Sequence, residues 1–249
     1  MIDRPTHAQS PSTRRLRVII TVSAVMAALA IVTVPVQAQD ALPMPEDTGP
    51  LEPGTYIDAA LGVDLTLTVP EGWQIANGSV EGVGVDLAPL GFVPAGPEGV
   101  AFVGFTRFNG EVFDGHCVPP GGDEGAFLEE RVAIENSAQG LIDHLVANPY
   151  LTTTEPMAVE IGGHSGLRID AAASVPESEC ASPESHLWAI PVFGSWVLID
   201  GMAAQYSVID VDGNVVVIVL ERSPDVDVEA FTAQAQPLLD SLVLAAPSE

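Results

Sequence analysis

The sequence predicts an α+β domain built mainly on an antiparallel β-sheet. Most of its apolar segments alternate with a period of two, which is typical of strands that bury one face. Only two segments follow a helical period, one in the middle of the chain and one near its end. Runs of strands with one inserted helix and one closing helix indicate an α+β fold rather than alternating βα units.

The first 38 residues have the layout of a secretory signal peptide. Arg14, Arg15 and Arg17 precede the apolar run "VIITVSAVMAALAIVTVPV", and the small-residue sequence "VQA" ends at Ala38. We therefore expect cleavage after Ala38, secretion or retention in the cell envelope, and no stable membrane insertion afterwards. The alternative is an uncleaved membrane anchor, because the apolar run is close to the length that crosses a bilayer.

Residues 39–53 mix proline with acidic residues and predict a flexible linker, followed by a single folded domain over residues 54–246. The first predicted strand is "VDLTLTV", in which valine and leucine alternate with aspartate and threonine. Trp73 follows it as a core anchor. The next strands are expected at 82–90 and 99–108, and residues 109–135 predict an irregular loop with at most a helical turn.

The middle of the chain changes to the helical period. In "NSAQGLIDHLVANP" (136–149), Asn136 can cap a helix whose apolar face carries Leu141, Ile142, Leu145 and Val146. The neighbouring Asp143 and His144 are expected to be solvated. The strands that follow are "EPMAVEI", "SGLRIDAAA", "HLWAIPV", "SWVLID" and the hairpin "QYSVID-VDGN-VVVIVLER".

A closing helix is expected over about 227–241, with Asp227 among the acidic residues at its start. Pro237 predicts a kink or a break, because proline lacks the backbone N–H that a helix interior uses. The apolar segment "LVLAA" then predicts a last strand.

The two cysteines, Cys117 and Cys180, are expected to form a disulfide. An exported chain folds in an oxidising compartment, where two cysteines in one domain usually pair. The alternative is a zinc site that uses both cysteines with His116 and His186. The cysteines lack the close ligand spacing that zinc sites normally show, which favours the disulfide.

Charge restricts the classes of partner. The formal net charge is −26, the chain has no lysine, and only four arginines follow the predicted signal peptide. Such a surface repels phosphate groups, so nucleic-acid binding is excluded. Divalent cations, basic proteins and cationic small molecules stay open, and acidity can also serve solubility alone. No motif points to a cofactor.

Three segments resemble PsbP-like domains: "TYIDAALGVDLTLTVPEGW" (55–73), "AVEIGGHSGLRID" (158–170) and "FTAQAQPLLDSLVL" (231–244). The chain also looks like exported bacterial proteins related in shape to the LpqN-type lipoproteins. The resemblance implies an antiparallel sheet sandwiched by helices, without a catalytic centre. It carries over no functional residues, because the matching motifs are architectural.

Two short motifs suggest chemistry but are incomplete. "GGHSG" (162–166) is similar to the serine-hydrolase elbow, but Leu167 stands where its second glycine belongs. A hairpin turn with His164 exposed is the simpler interpretation, with Ser165 as nucleophile the alternative. "DVDGN" (210–214) suggests a calcium loop, but Gly213 comes too early for that motif, and Asp-Gly between apolar runs indicates a hairpin turn.

The surface most typical of a binding site is the aromatic stretch that follows the Cys180 loop. Trp188 and Trp196 flank "AIPVFGS", an apolar and partly irregular segment that contains Phe193. We therefore expect an exported, non-enzymatic domain that binds a partner protein or a small ligand. The alternatives are a secreted serine hydrolase that uses Ser165 and a structural module that binds divalent cations.

Overall fold

The computed structural model describes residues 41–80, 84–89, 99–190 and 194–247. The predicted signal peptide therefore lies outside the described residues. The strands are β1 (Leu42–Pro43), β2 (Gly49–Pro50), β3 (Gly54–Asp58), β4 (Asp64–Val69), β5 (Trp73–Val80), β6 (Gly84–Pro89), β7 (Ala101–Phe108), β8 (Glu111–Phe113), β9 (Arg131–Ala133), β10 (Leu151–Thr153), β11 (Met157–Ile161), β12 (His164–Ala173), β13 (Glu184–Ile190), β14 (Gly194–Ile199), β15 (Ala203–Val211), β16 (Asn214–Arg222) and β17 (Val243–Ala245). The helices are α1 (Glu124–Glu129), α2 (Ala138–Ala147) and α3 (Val228–Asp240).

A nine-stranded sheet forms the centre of the described part of the chain. Its order is β10-β12-β15-β16-β7-β6-β5-β2, and β11 also pairs with β12. Every pairing within it is antiparallel. A four-stranded sheet has the order β1-β3-β4-β17, and two hairpins, β13-β14 and β8-β9, pair separately. The predicted α+β class with a mainly antiparallel sheet is confirmed.

The central strands bury both faces, and strand β16 shows why its sequence is almost continuously apolar. Val216, Ile218 and Leu220 belong to one hydrophobic core, with side chains of β4 and α3. Val215, Val217 and Val219 belong to a second core, with side chains of α2 and the β13-β14 hairpin. Because successive side chains of a strand point to opposite faces, the sheet lies between these two cores.

The layers that cover the sheet are therefore mixed rather than purely helical. The resemblance implied helices on both faces. In the structure, α3 shares its layer with the four-stranded sheet, and α2 shares its layer with the β13-β14 hairpin. A hairpin can replace a helix here because its inward side chains, such as Leu187 and Leu198, bury an equivalent apolar face.

The helices α2 and α3 differ in detail from the sequence-based expectation. Ser137, rather than Asn136, caps α2, and its side chain accepts a hydrogen bond from the Gly140 N–H at 3.0 Å. Val146 is 45% exposed and does not join the apolar face of that helix. The closing helix runs through Pro237 without a break. Proline at this position removes the hydrogen bond to the Ala233 carbonyl, but the helix continues for three further residues to Asp240.

The predicted linker and the predicted irregular loop both contain short strands. Strands β1 and β2, within residues 39–53, pair with β3 and β5, and Met44 and Leu51 are buried in the core. This segment is therefore tied to both sheets and is not a free linker. Within residues 109–135, β8 and β9 pair with each other and α1 lies between them. In the described part of the chain, no helix has the length and apolar character needed to cross a membrane.

Candidate functional site

The predicted disulfide is present, and it joins two loops beside the second core. Cys117 and Cys180 are bonded, with their Cα atoms 5.6 Å apart. Backbone hydrogen bonds reinforce the junction: the Ala181 N–H donates to the Val118 carbonyl at 2.7 Å, and the His186 N–H donates to the His116 carbonyl at 2.8 Å. The cysteines are thus not free thiolates. Within the described residues, no three His, Cys, Asp or Glu side chains are grouped as metal ligands.

The disulfide forms part of the wall of a surface depression of about 450 Å³, which we call the disulfide pocket. Asp114 and His116 come from the loop after β8, and Glu130 follows α1. Tyr150 and Glu179 also line the pocket, and Phe127 supplies an apolar surface. The disulfide therefore crosslinks a pocket wall whose residues come from distant parts of the sequence.

The electrostatics of the disulfide pocket favour positive charge. Asp114, Glu130 and Glu179 line it, and none of its lining residues is an arginine. The Tyr150 hydroxyl donates to Glu179 Oε2 at 3.3 Å. Burial, and then the charge of Glu179, raise the pKa of Tyr150, so the phenol stays neutral. Three carboxylates and two aromatic rings are thus presented to one concave surface.

A histidine pair borders the pocket without adding positive charge at neutral pH. The rings of His116 and His144 are 5.2 Å apart, and both line a smaller depression of about 200 Å³. Burial lowers the pKa of His116; burial, and then the neighbouring His116, lower the pKa of His144 to about 4. His144 is therefore neutral and half-buried rather than solvated, which corrects the expectation from its helix position.

His186 makes a different contact, which sequence reasoning missed. Its Nδ1 lies 2.7 Å from the Ser195 hydroxyl, and its ring packs against those of Phe113 and Phe127. Burial lowers the pKa of this imidazole, while the charge of Glu124 opposes the change. His186 is only 2% exposed, so the pair joins β13 to β14 in the interior. His116 and His186 share a backbone hydrogen bond, not a ligand site.

The aromatic residues predicted to form a binding surface are mostly interior. Trp188 is fully buried and Trp196 is 8% exposed, while Phe193 lies outside the described residues. The two indole rings stack with centroids 5.5 Å apart, and Tyr206 meets Trp188 edge-on at 5.8 Å. A binding role for this stretch stays a prediction, and the structure assigns Trp188 to the core.

Two carboxyl groups lie on the sheet beneath these rings. Glu221 is 5% exposed, and its burial, followed by the charge of Asp86, raises its pKa to about 8. The nearby Trp196 N–H partly offsets this rise in pKa, although it does not form a hydrogen bond with the carboxyl. Burial likewise raises the pKa of Asp86 to about 6, against a hydrogen bond of 2.7 Å from Asn77. Glu221 therefore holds its proton at neutral pH, so one of these two carboxyls is uncharged there.

Gly104 makes this arrangement possible. Asp86 and Gly104 are register partners on β6 and β7. A Cβ at position 104 would lie 2.7 Å from Asp86 Oδ1 and 2.8 Å from the Trp196 ring. The missing side chain thus leaves room for a carboxylate and an indole over the same point of the sheet.

Among the described residues, neither the motif that suggested hydrolysis nor the motif that suggested calcium binding forms the corresponding site. Ser165 is exposed on β12, and no hydrogen bond joins it to a histidine in the described residues. His164 is half-buried rather than exposed, with Nε2 3.0 Å from the Leu244 carbonyl oxygen. Asp210 Oδ1 accepts from the Ala138 N–H at 3.0 Å, and Asp212 has a φ of 48° in the β15-β16 turn. The predicted hairpin turn is confirmed.

Comparison with known proteins adds a distant likeness. No protein-family model and no curated protein matches the chain. It is similar to LpqN of Mycobacterium tuberculosis, described as involved in cell envelope biogenesis, with 14% identity over 80% of this chain and 91% of LpqN, and a TM-score of 0.37. It is also similar to the cyanobacterial PsbP (CyanoP) of Synechocystis sp. PCC 6803, with 13% identity over 78% and 93% of the chains and a TM-score of 0.36.

Proposed function

We propose that this chain is an exported, non-enzymatic domain that binds a small organic cation in the disulfide pocket. The observation that carries the proposal is the composition of the pocket wall, with three carboxylates, two aromatic rings and no arginine. A basic side chain of a partner protein has the same chemistry and is the extended form of such a ligand.

Size and charge both fit this class of ligand. The volume of about 450 Å³ falls within the range of about 300–1,000 Å³ that is common for small-molecule sites. Aromatic faces attract ammonium groups, and carboxylates attract them at longer range. The net charge of −26 raises the local concentration of cations around the whole molecule.

An extracytoplasmic location is part of the same proposal. Disulfides persist in oxidising compartments and are rare in the cytosol, and the Cys117–Cys180 bond supports the pocket wall. A pocket wall that contains this bond is suited to an oxidising compartment. The signal-peptide layout of residues 1–38 supports export independently of the disulfide.

The direct test uses a matched pair of probes, phenethylamine and its uncharged analogue 2-phenylethanol. We expect the amine to bind the oxidised protein with one saturable site and to shift the backbone amide resonances of His116, Tyr150 and Glu179. The double variant E130Q/E179Q should weaken binding between about twofold and thirtyfold, because an exposed ion pair contributes about 0.2–1 kcal/mol. Titration calorimetry and amide chemical shifts measure both.

The matched control is E155Q/E160Q, which makes the same charge change at exposed carboxylates outside the pocket. Its affinity for the amine should equal that of the unmodified protein. Equal binding of 2-phenylethanol, or equal losses in the two double variants, would show that the pocket carboxylates recognise nothing, and the proposal would be abandoned.

A further inference from the structure

A second cavity, which we call the Arg222 groove, has the opposite charge preference. It has a volume of about 290 Å³ and lies where the start of α3 passes over the ends of β12, β15 and β16. Leu220, Val228 and Phe231 supply apolar surface, and Arg222, Gln205 and Asp170 supply polar groups. The groove lies on the side of the sheet that faces the first core, because Leu220 and Phe231 belong to that core.

The Arg222 side chain has no hydrogen-bond or ion-pair partner among the described residues. The only ion pair in the described part of the chain joins Arg131 to Glu111 at 3.3 Å, and the Arg222 guanidinium makes no hydrogen bond there. Arg222 is nonetheless half-buried. A guanidinium that loses part of its hydration is normally compensated by a carboxylate or phosphate, because it carries five N–H donors and no acceptor.

The missing partner is notable in a chain with 34 acidic residues and only 8 basic ones. Asp170 lines the same groove, but its Oδ1 accepts from Gln205 Nε2 at 2.9 Å instead of pairing with Arg222. Asp170 and Gln205 thus bond to each other, and the Arg222 guanidinium is available to a ligand in the groove.

The rest of the groove selects for the body of the ligand. Val228 is 46% exposed at the rim, and buried Phe231 and Leu220 form the floor. An apolar wall beside one planar cation suits a carboxylate attached to a ring or a short aliphatic chain, because the guanidinium fork matches a carboxylate with two parallel hydrogen bonds. The neighbouring Asp170 and the acidic surface repel anions of higher charge.

We propose that the Arg222 groove is a binding site for a small organic monoanion, a carboxylate with an apolar body. The volume restricts the body to about one ring, since it lies at the lower limit of common ligand sites. This site shares no lining residue with the disulfide pocket, so either proposal can fail alone.

The probe is phenylacetate, with 2-phenylethanol as the uncharged analogue, at about 0.15 M salt so that long-range repulsion by the acidic surface is screened. We expect one saturable site, with amide chemical shift changes at Ala203, Ala204 and Thr232. Arg222→Gln should weaken binding at least tenfold, because the charge-assisted hydrogen bonds are lost. Arg222→Lys should give an intermediate affinity, since lysine keeps the charge but not the fork.

Arg107→Gln is the matched control. Arg107 is also half-buried and has no ion pair with any residue that the structure describes, but it pairs with Val216 in the sheet, six residues along β16 from Arg222. Its affinity for phenylacetate should be unchanged. Absence of saturable binding to the unmodified protein, an equal affinity in folded Arg222→Gln, or equally tight binding of 2-phenylethanol would each overturn the proposal. If Arg222→Gln fails to fold, the comparison of Arg222→Lys with the unmodified protein and the location of the shifts decide it.

Discussion

At the scale of single residues, the interior is unusual because it holds ionisable groups beneath aromatic rings. Glu221 ends an apolar strand in the sequence, a position that normally indicates the polar end of a strand. Its place in the alternation puts it on the same face as Val217 and Val219, under Trp196. The sequence could have indicated that face, but it could not show that β14 covers the strand up to its end.

The Glu221 carboxyl predicts an unusual dependence of stability on pH. Its pKa is about 8 in the folded protein and near 4.5 when unfolded, so the folded state binds the proton more tightly. The associated stabilisation is complete below pH 4.5 and is lost as the pH rises towards 8, with a slope of about 1.4 kcal/mol per pH unit. Glu221→Gln cannot ionise, so its stability relative to the unmodified protein should increase across this range.

Denaturant unfolding at a series of pH values measures this difference. The reference variant is Glu160→Gln, which removes an exposed carboxylate from β11. Its stability relative to the unmodified protein should stay nearly constant over the same range. A constant difference for Glu221→Gln between pH 4.5 and 8 would show that this carboxyl does not titrate in the folded interior.

At the scale of elements, sequence reasoning was most successful where a pattern was long. The two strands of the β15-β16 hairpin have nine residues each, and the helix α2 shows its period over ten residues. Strands β8 and β9 have three residues each, which is too short to show alternation. Glycine and proline between them indicated a loop, and the pairing that holds them depends on contacts distant in sequence.

The same distinction explains what could be predicted of the disulfide pocket. The cysteines and their oxidation followed from compartment and count. Glu130, Tyr150 and Glu179 had no signal of their own in the sequence, because an acidic residue or a tyrosine in a loop is common. Only the fold brings the loop after β8, the end of α2 and the Cys180 loop to one wall.

The disulfide itself gives a prediction at this scale. A sequence separation of 63 between the bonded cysteines corresponds to about 4 kcal/mol in the chain-entropy estimate. The double variant C117A/C180A should lower the free energy of unfolding by about that amount. It should also weaken phenethylamine binding, because the pocket wall loses its disulfide crosslink. Chemical denaturation and calorimetry give the two readouts.

Dithiothreitol treatment of the unmodified protein separates the crosslink from the packing of the two side chains. The reduced protein keeps both sulfur atoms, so it should lose a similar free energy of unfolding if the bond is responsible. If the reduced protein is as stable as the oxidised protein, the disulfide bond contributes nothing to the free energy of unfolding, and the loss in C117A/C180A comes from packing alone.

At the scale of the whole molecule, the fold class was predictable and the assembly of the layers was not. The period of two along most of the chain was enough to indicate an antiparallel sheet. Strand β16 is apolar on both faces, which indicates a central strand, but no sequence pattern shows whether a helix or a small sheet covers each face. The four-stranded sheet forms from β1, β3, β4 and β17, at opposite ends of the chain, and such pairing has no local signal.

Charge also acts at this scale and gives the last prediction. The net charge is −26, and the described residues contain one ion pair, so repulsion between carboxylates is largely uncompensated. Because unfolding separates like charges, salt should stabilise the folded state. The Debye length falls from about 30 Å at 0.01 M to about 3 Å at 1 M, so the melting temperature should rise by several degrees over that range of sodium chloride.

Calcium chloride at matched ionic strength tests whether the acidic residues also bind a divalent cation. Equal melting temperatures in the two salts would indicate screening alone. Additional stabilisation by calcium would favour the structural cation-binding module. A melting temperature independent of salt would show that the carboxylates do not repel one another appreciably in the fold.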